Sequence, residues 1–298
     1  MNPEYLRYST RFGFYIIALF LPMSISVTQI GLGIVLGSWL LKIVGEGRLS
    51  FVKTPLNKPV AIYLCGLLIS AVLGYNAVNS LLSIREAWTC LLFFSMLALI
   101  QDLKTVKRLI ILVLTGSFVA AIYGIVQHPV GGLDLFRPAG QEVIQYAHLQ
   151  VPHEVLAIGF FKHHLTFGEM ILITLCFCTA YVLVTFSASS ALKQKGHLAN
   201  LLLLPLIVVL GVALLYSYSR SSWVGFVIAF FFMLLFFKKK TSTILLAFFL
   251  PAVVLTASFH PPTKGRIMAI FSQKERLYIG KIAFQFAAEK PLTGIGLN

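Results

Sequence analysis

One arginine stands in a short polar turn between two long apolar runs of the sequence. The turn spans residues 216–222, reads Tyr-Ser-Tyr-Ser-Arg-Ser-Ser and carries Arg220. A guanidinium group stays charged and offers a planar fork of donors, which suits carboxylate and phosphate oxygens. Arg220 could therefore bind an anionic ligand, whereas the simpler alternative is an anchor at the boundary of a membrane.

A second arginine falls on the apolar face of a predicted helix, residues 274–289. One arc of its helical wheel holds Arg276, Ile279, Ala283 and Phe286. An arginine on a face that becomes buried needs an anionic partner, because an uncompensated buried charge is costly. The partner could be a ligand, or a salt bridge could join Arg276 to Glu169 or Glu86.

The remaining candidate residues lie in or near a long polar connection, residues 128–164. Most of the histidines fall here, but their spacing matches no metal-ligand signature, so we expect no metal. His163 and His164 come immediately before an apolar run, and we expect one of them to face a site together with Glu169. Two further candidates to line the site are Arg137, within the connection, and Arg85, at the outer end of an earlier apolar run.

The composition indicates the environment of these residues. The chain of 298 residues is 58% hydrophobic and only 11% charged, whereas a soluble domain has roughly 25% charged residues. So few polar residues cannot cover the surface of a soluble protein of this length. The composition excludes a soluble enzyme, a disordered chain and a secreted disulfide scaffold, and it predicts an integral membrane protein.

Nine apolar runs approach the roughly 20 residues that a helix needs to cross the hydrocarbon layer of a membrane. Only helices can cross here, because each backbone polar group needs a partner within its own segment. We therefore predict an all-α polytopic protein with about nine transmembrane helices, of which the first two turn near Ser26–Gln29. The predicted spans are 12–27, 28–44, 59–76, 81–100, 107–127, 165–186, 199–216, 222–237 and 243–258.

The positions of lysine and arginine predict the orientation of these spans. Most basic residues fall in segments that are cytoplasmic if the N-terminus is cytoplasmic, as the positive-inside rule requires. The net charge of +14 then reflects topology, and we expect no nucleic-acid partner. The candidate residues all fall on the outer face. The predicted regions are five spans at 1–127, an outer loop at 128–164, four spans at 165–258 and the start of a large outer loop at 259–298.

The turn that contains Arg220 resembles a motif of the O-antigen ligase and polymerase superfamily. In that motif Ser-Arg is followed by a small residue, any three residues and a glycine, and here the run is Ser219–Gly225. Arg276, followed by Pro-Leu-Thr-Gly-Ile-Gly-Leu at 291–297, is similar to a second family segment. Two more segments are similar to the outer loop of ligase-like members: Arg137–Gly140 and Gly159–Gly168. The order of the motifs and the number of spans fit from about residue 12 onward.

The resemblance implies a membrane glycosyltransferase in the bacterial inner membrane, with its active face toward the periplasm. The donor would be a glycan linked to undecaprenyl pyrophosphate. The acceptor would be the lipid A–core of lipopolysaccharide in a ligase, or another glycan repeat in a polymerase. Arg220 and Arg276 fall at the positions of the family's arginines, and their implied role is to bind the leaving pyrophosphate. No metal, nucleotide or other cofactor is implied, and membrane lipids are the remaining partners.

The sequence departs from the family at its end. The catalytic histidine of the family lies downstream of the Gly-x-Gly segment, whereas this sequence stops at Asn298. We expect a truncated protein that is inactive alone, or a general base supplied from elsewhere in the chain. Three other functions stay open: an O-antigen polymerase, a membrane transporter and an inactive fragment. The lack of ionisable residues near the middle of the predicted spans argues against a transporter.

Overall fold

The computed structural model describes residues 3–47, 54–74, 76–83, 88–100, 102–127, 156–187, 190–236 and 274–289. Within these ranges the chain forms ten α-helices and no strand, which confirms the predicted all-α class. In chain order the helices are α1 (Pro3–Phe20), α2 (Ile25–Glu46), α3 (Asn57–Leu73), α4 (Ala77–Ser83), α5 (Trp88–Leu99), α6 (Leu103–Gln127), α7 (His164–Ser187), α8 (Ser190–Tyr216), α9 (Arg220–Leu234) and α10 (Lys274–Glu289).

Three of the described helices are long and apolar enough to cross a membrane, judged by length and composition. They are Ile25–Glu46, Leu103–Gln127 and His164–Thr185. Four shorter apolar helices are Asn57–Leu73, Cys90–Leu99, Leu202–Tyr216 and Arg220–Leu234. These helices indicate a membrane protein. The predicted span 243–258 lies outside the described residues, and the total of nine spans and their orientation stay predictions.

The first turn of the chain lies earlier than predicted. α1 and α2 are joined at Leu21–Ser24, so the prediction of a turn near Ser26–Gln29 is wrong. Pro22 lacks the N–H that a helix interior requires. The Ser24 hydroxyl then accepts the Val27 N–H at 3.4 Å and caps the start of α2. The prediction followed the apolar run, which continues through this turn.

The predicted fourth span, 81–100, corresponds to two short helices. The end of α4, a helix of 7 residues, and the whole of α5, with 12 residues, fall in this range. Each is shorter than the roughly 20 residues of a membrane crossing. The polar pair Arg85 and Glu86 interrupts the apolar run in the sequence between the two helices.

The chain divides into two compact units. The first contains Met1–Ile17, Gln29–Arg108 and Gln273–Asn298, and the second contains Ala18–Thr28 and Leu109–Ser272. In the first unit α1 and α2 pack closely, since a Cβ added to Gly31 would lie 2.9 Å from the Gly13 carbonyl oxygen. In the second unit α7 packs against α8 and α9. The core of this unit is Ala120, Ala121, Ala157, Phe161, Phe167, Ile171, Leu175, Cys178, Leu210, Ala213 and Leu214.

Candidate functional site

Four helix ends meet at one end of the second unit. α6 ends there at Gln127, α7 begins at His164, α8 ends at Tyr216 and α9 begins at Arg220. Hydrogen bonds join the segment 156–163, which leads into α7, to both α6 and α8. The polar turn and the end of the long connection 128–164 therefore lie together. This agrees with the prediction that both segments lie on the same face of the membrane.

Tyr216, the first residue of the predicted turn, belongs to α8, and the remaining residues 217–222, the Ser-Arg turn, form a tight reversal between α8 and α9. The N–H of Tyr218 donates to the Leu215 carbonyl at 3.0 Å, and the N–H of Trp223 donates to the Ser219 carbonyl at 3.1 Å. Tyr218 has a φ of 50°, in the left-handed region that residues other than glycine rarely adopt. Its side chain is buried, with its ring centroid 6.2 Å from that of Trp223. Tertiary packing therefore holds the backbone in this conformation.

Serine hydroxyls hold the backbone of the Ser-Arg turn. Ser217 Oγ donates to the Leu214 carbonyl at 2.7 Å and accepts the N–H of Ser219 at 3.2 Å. The Ser219 hydroxyl also pairs with that of Ser222 at 2.8 Å and that of Ser221 at 3.2 Å. Ser217, Ser219 and Ser222 are fully buried, whereas Ser221 is exposed. Side chains of the turn itself thus fix the backbone on both sides of its arginine.

Arg220 is the first residue of α9 and is half-buried, and its Nη1 atom is buried. The backbone dipoles of a helix favour cations near its C-terminus and anions near its N-terminus. The position of Arg220 therefore does not serve the stability of α9 itself. The helix N-terminus and the guanidinium both attract negative charge, so together they favour an anion at this place.

α7 contacts the Ser-Arg turn at a glycine. A Cβ added to Gly168 would lie 2.7 Å from Ser219 Cβ and 3.0 Å from the hydroxyl oxygens of two other serines of the turn. Further along, where α7 packs against α9, a Cβ added to Gly225 of α9 would lie 3.0 Å from Leu172 Cδ2 of α7. Any larger residue at position 168 would push the turn away from α7. This glycine therefore sets how closely the turn approaches the start of α7.

The segment 156–163 is joined to the last residue of α8 and to the last residue of α6. The Ala157 N–H donates to the Tyr216 carbonyl at 2.9 Å, immediately before the Ser-Arg turn. On the other side, the carboxamide of Gln127 makes three hydrogen bonds to Ile158 and Gly159. Gln127 thus organises this end of the second unit, although no motif or periodicity in the sequence marks it.

Phe167 fills the space beneath this segment. Its ring is fully buried, and a Cβ added to Gly124 or Gly159 would lie 2.6 Å or 2.7 Å from a ring carbon. Gly159 also has a φ of 54°, which glycine adopts without steric penalty. These contacts explain why positions 124 and 159 are glycines and why position 167 carries a phenylalanine ring. Two of the three belong to Gly159–Gly168, one of the segments that carry the family resemblance.

Besides Arg220, three of the predicted site residues lie at this end of the second unit. His164, the first residue of α7, is only 8% exposed, whereas His163 and Glu169 are exposed. Arg137 and Arg85 lie outside the described residues. Within the described ranges, no group of three histidine, cysteine, aspartate or glutamate side chains could hold a metal ion.

The helix predicted at the end of the chain is confirmed as α10, Lys274–Glu289. Its predicted buried arc is not buried, because Ile279 is 64% exposed and Phe286 is 41% exposed. A helical wheel identifies the apolar face of a helix but not what covers that face, so this expectation was wrong. Arg276 lies in α10, and its side chain is outside the part of the structure that is described.

Comparison with known families identifies the region that contains the Ser-Arg turn. Residues 205–298 match the family model described as O-antigen ligase. The matched region contains Arg220 and Arg276, and the match confirms the resemblance found in the sequence. No curated protein and no solved structure matches the chain. Residues 205–298 are therefore similar to the O-antigen ligase family.

Proposed function

We propose that this protein transfers a glycan from undecaprenyl pyrophosphate to the lipid A–core of lipopolysaccharide, at the periplasmic face of the bacterial inner membrane. The Ser-Arg turn carries the proposal. Its arginine, Arg220, falls in the region that matches the O-antigen ligase family. It also stands at a helix N-terminus, between serines whose hydroxyls bond to one another. A cation carried by a backbone that is held in this way suits an anionic leaving group.

The transfer requires stabilisation of a leaving diphosphate. The bond between the anomeric carbon and the diphosphate oxygen breaks, and the oxygen keeps the electron pair. Negative charge therefore grows on the diphosphate during the reaction. A cation that is already fixed in place stabilises this charge without reorganisation, and Arg220 can donate two parallel hydrogen bonds to its oxygens. Arg276 is proposed as a second guanidinium for the same diphosphate, on the basis of the sequence motif.

The acceptor hydroxyl must lose a proton as it attacks the anomeric carbon. A neutral histidine or a carboxylate can accept this proton near neutral pH. His163 and Glu169 are both exposed near the start of α7, and they are the proposed candidates for the base. The buried His164 is proposed to line the site. Arg137 and Arg85 are proposed as further lining residues from their sequence positions alone.

Substitution of Arg220 tests the proposal in cells that depend on this gene for lipopolysaccharide assembly. Arg220→Ala should abolish glycan transfer, and Arg220→Lys should not restore it, because an ammonium lacks the planar fork of donors. The readouts are lipopolysaccharide on gels and accumulation of the undecaprenyl-linked glycan. Lys162→Ala is the matched control, since it removes an exposed cation from the segment that precedes α7 and should leave transfer intact.

Each competing function gives a different result in this experiment. Retained transfer by Arg220→Ala would refute the role of this arginine in binding the diphosphate. If the protein is a polymerase, Arg220→Ala would remove only the longer chains and would leave single repeats attached to the core. A transporter would leave glycan transfer unchanged in every variant. An inactive fragment would give no transfer even with the unmodified protein.

A further inference from the structure

The side chain of Gln127 connects two distant parts of the sequence. Gln127 is the last residue of α6 and is only 1% exposed. Its Oε1 accepts the N–H of Gly159 at 2.9 Å and that of Ile158 at 3.3 Å. Its Nε2 donates to the Gly159 carbonyl at 3.2 Å. A reversed carboxamide would place its NH₂ group against two N–H donors, so the hydrogen-bond partners determine its orientation.

The residues held by Gln127 are themselves bonded to the end of α8. The Ala157 N–H, one residue before Ile158, donates to the Tyr216 carbonyl at 2.9 Å. Tyr216 is the last residue of α8 and immediately precedes the Ser-Arg turn. Segment 157–159 therefore forms a bridge, with the carboxamide of Gln127 on one side and the start of the turn on the other.

The bridge has little freedom to rearrange. Ala157 is fully buried, Ile158 is 5% exposed, and the ring of Phe167 packs against Gly159. Buried N–H groups without partners cost roughly 1–3 kcal/mol each. Loss of the carboxamide at position 127 would strand the N–H groups of Ile158 and Gly159, and the bridge would have to move to satisfy them.

We propose that Gln127 is a positioning residue for glycan transfer: through segment 157–159 it sets the place of Tyr216, and thereby of Arg220 at the diphosphate. The inference rests on the function proposed above for Arg220. Gln127 does not touch the reacting groups. It determines the position of the last residue of α8 and, through the Ser-Arg turn, the position of the Arg220 guanidinium.

The variant Gln127→Glu provides a specific test of this role, because its effect depends on pH. A protonated carboxyl offers one acceptor oxygen and one O–H donor, and it can replace all three hydrogen bonds of the amide. An ionised carboxylate cannot donate, and its second oxygen would face the Gly159 carbonyl. Burial raises the pKa of a carboxyl at such a place. The variant should therefore work at mildly acidic pH and fail as the pH rises.

The experiment measures kcat and KM for glycan transfer by the purified protein in lipid nanodiscs, with a lipid-linked glycan donor. Gln127→Ala should lower kcat by about 10-fold or more with a smaller change in KM, because misplaced groups act mainly on the reaction step. The ratio of the activity of Gln127→Glu to that of the unmodified protein should decrease as the pH rises from about 5 to about 8.

The control is Gln29→Glu, the same change at an exposed position in α2, and its activity ratio should not change with pH. The other titratable or charged groups at this end of the second unit are present in both proteins and cancel in the ratio: Tyr123, Lys162, His163, His164, Glu169, Tyr216, Tyr218 and Arg220.

Each outcome either supports or overturns the inference. The inference is overturned if the activity ratio of Gln127→Glu does not change with pH and kcat is unaltered in the folded fraction of Gln127→Ala. Gln127 would then serve stability alone. Arg220→Ala in the same assay separates this failure from failure of the proposed function. An active Arg220→Ala refutes the role of Arg220 and the inference that rests on it. An inactive Arg220→Ala together with unaffected Gln127 variants refutes the positioning role alone.

Discussion

Replacing Gly168 by alanine should disable the Ser-Arg turn without altering any polar group. The added Cβ would lie 2.7 Å from Ser219 Cβ, whereas ordinary contacts begin at 3.4 Å, so the turn must retreat by about 0.7 Å. Two serine hydroxyl oxygens at 3.0 Å from the same Cβ limit the direction of that movement. Overpacking of this kind destabilises a protein by roughly 1–3 kcal/mol.

The effect of Gly168→Ala on activity should exceed its effect on stability. A displacement of about 1 Å can reduce the rate of a positioned reaction by about 100-fold. A shift of about 0.7 Å in the backbone that carries Arg220 should therefore lower the rate of glycan transfer by roughly 10-fold to 100-fold. The assay compares the transfer rate with the amount of folded protein in the membrane, so that loss of protein is not counted as loss of activity.

The matched control is Gly211→Ala, in α8 of the same unit. A Cβ added at Gly211 meets no atom within 4 Å, and alanine is favoured over glycine in a helix by about 1 kcal/mol. This variant should keep full activity and equal or greater stability. Activity of Gly168→Ala at the level of the control would show that the closeness of α7 to the turn does not matter for transfer.

Two other substitutions test the packing and electrostatics of the described helices. Gly159→Ala places a Cβ 2.7 Å from the ring of Phe167 on a residue with a φ of 54°, and it should lower the free energy of unfolding by roughly 2–4 kcal/mol. An unchanged midpoint of thermal denaturation in detergent would contradict this packing. At the start of α6, hydrogen bonds from the Thr105 hydroxyl and N–H, followed by the nearby Arg11, hold the pKa of Asp102 below its ordinary value of 3.8. The stabilisation by this carboxylate is present above pH 3.8 and is lost as the pH falls through the lower pKa of the folded protein. Asp102→Asn keeps a capping oxygen but binds no proton, so denaturation measured against pH should show a weaker loss of stability in acid; an identical acid profile would contradict this role.

Local patterns in the sequence predicted several elements of the structure. The bounds of α10 follow from a continuous amphipathic pattern, and the reversal around Arg220 follows from a polar run between two apolar ones. The turn after α1 was misplaced because its residues are as apolar as their neighbours. Only the cap by Ser24 and the missing N–H of Pro22 mark its position.

The contacts that hold the site could not be predicted in the same way. Gln127 stands at the end of an apolar run, and one amide has no periodicity that would indicate its partners 31 and 32 residues away. Gly168 belongs to a stretch that resembles the family, but its close approach to Ser219 depends on how α7 packs against α9. Such contacts are properties of the tertiary structure, and single-sequence patterns do not contain them.

Binding of the lipid carrier to the purified protein tests the role of Arg220 most directly. The measurement compares the affinities for undecaprenyl pyrophosphate and undecaprenyl phosphate in nanodiscs, for the unmodified protein and for Arg220→Ala. We predict that the unmodified protein binds the diphosphate more tightly and that Arg220→Ala loses about 10-fold or more of this preference, as expected for charge-assisted hydrogen bonds. An equal preference for the diphosphate in both proteins would contradict the assignment of this arginine to the leaving group.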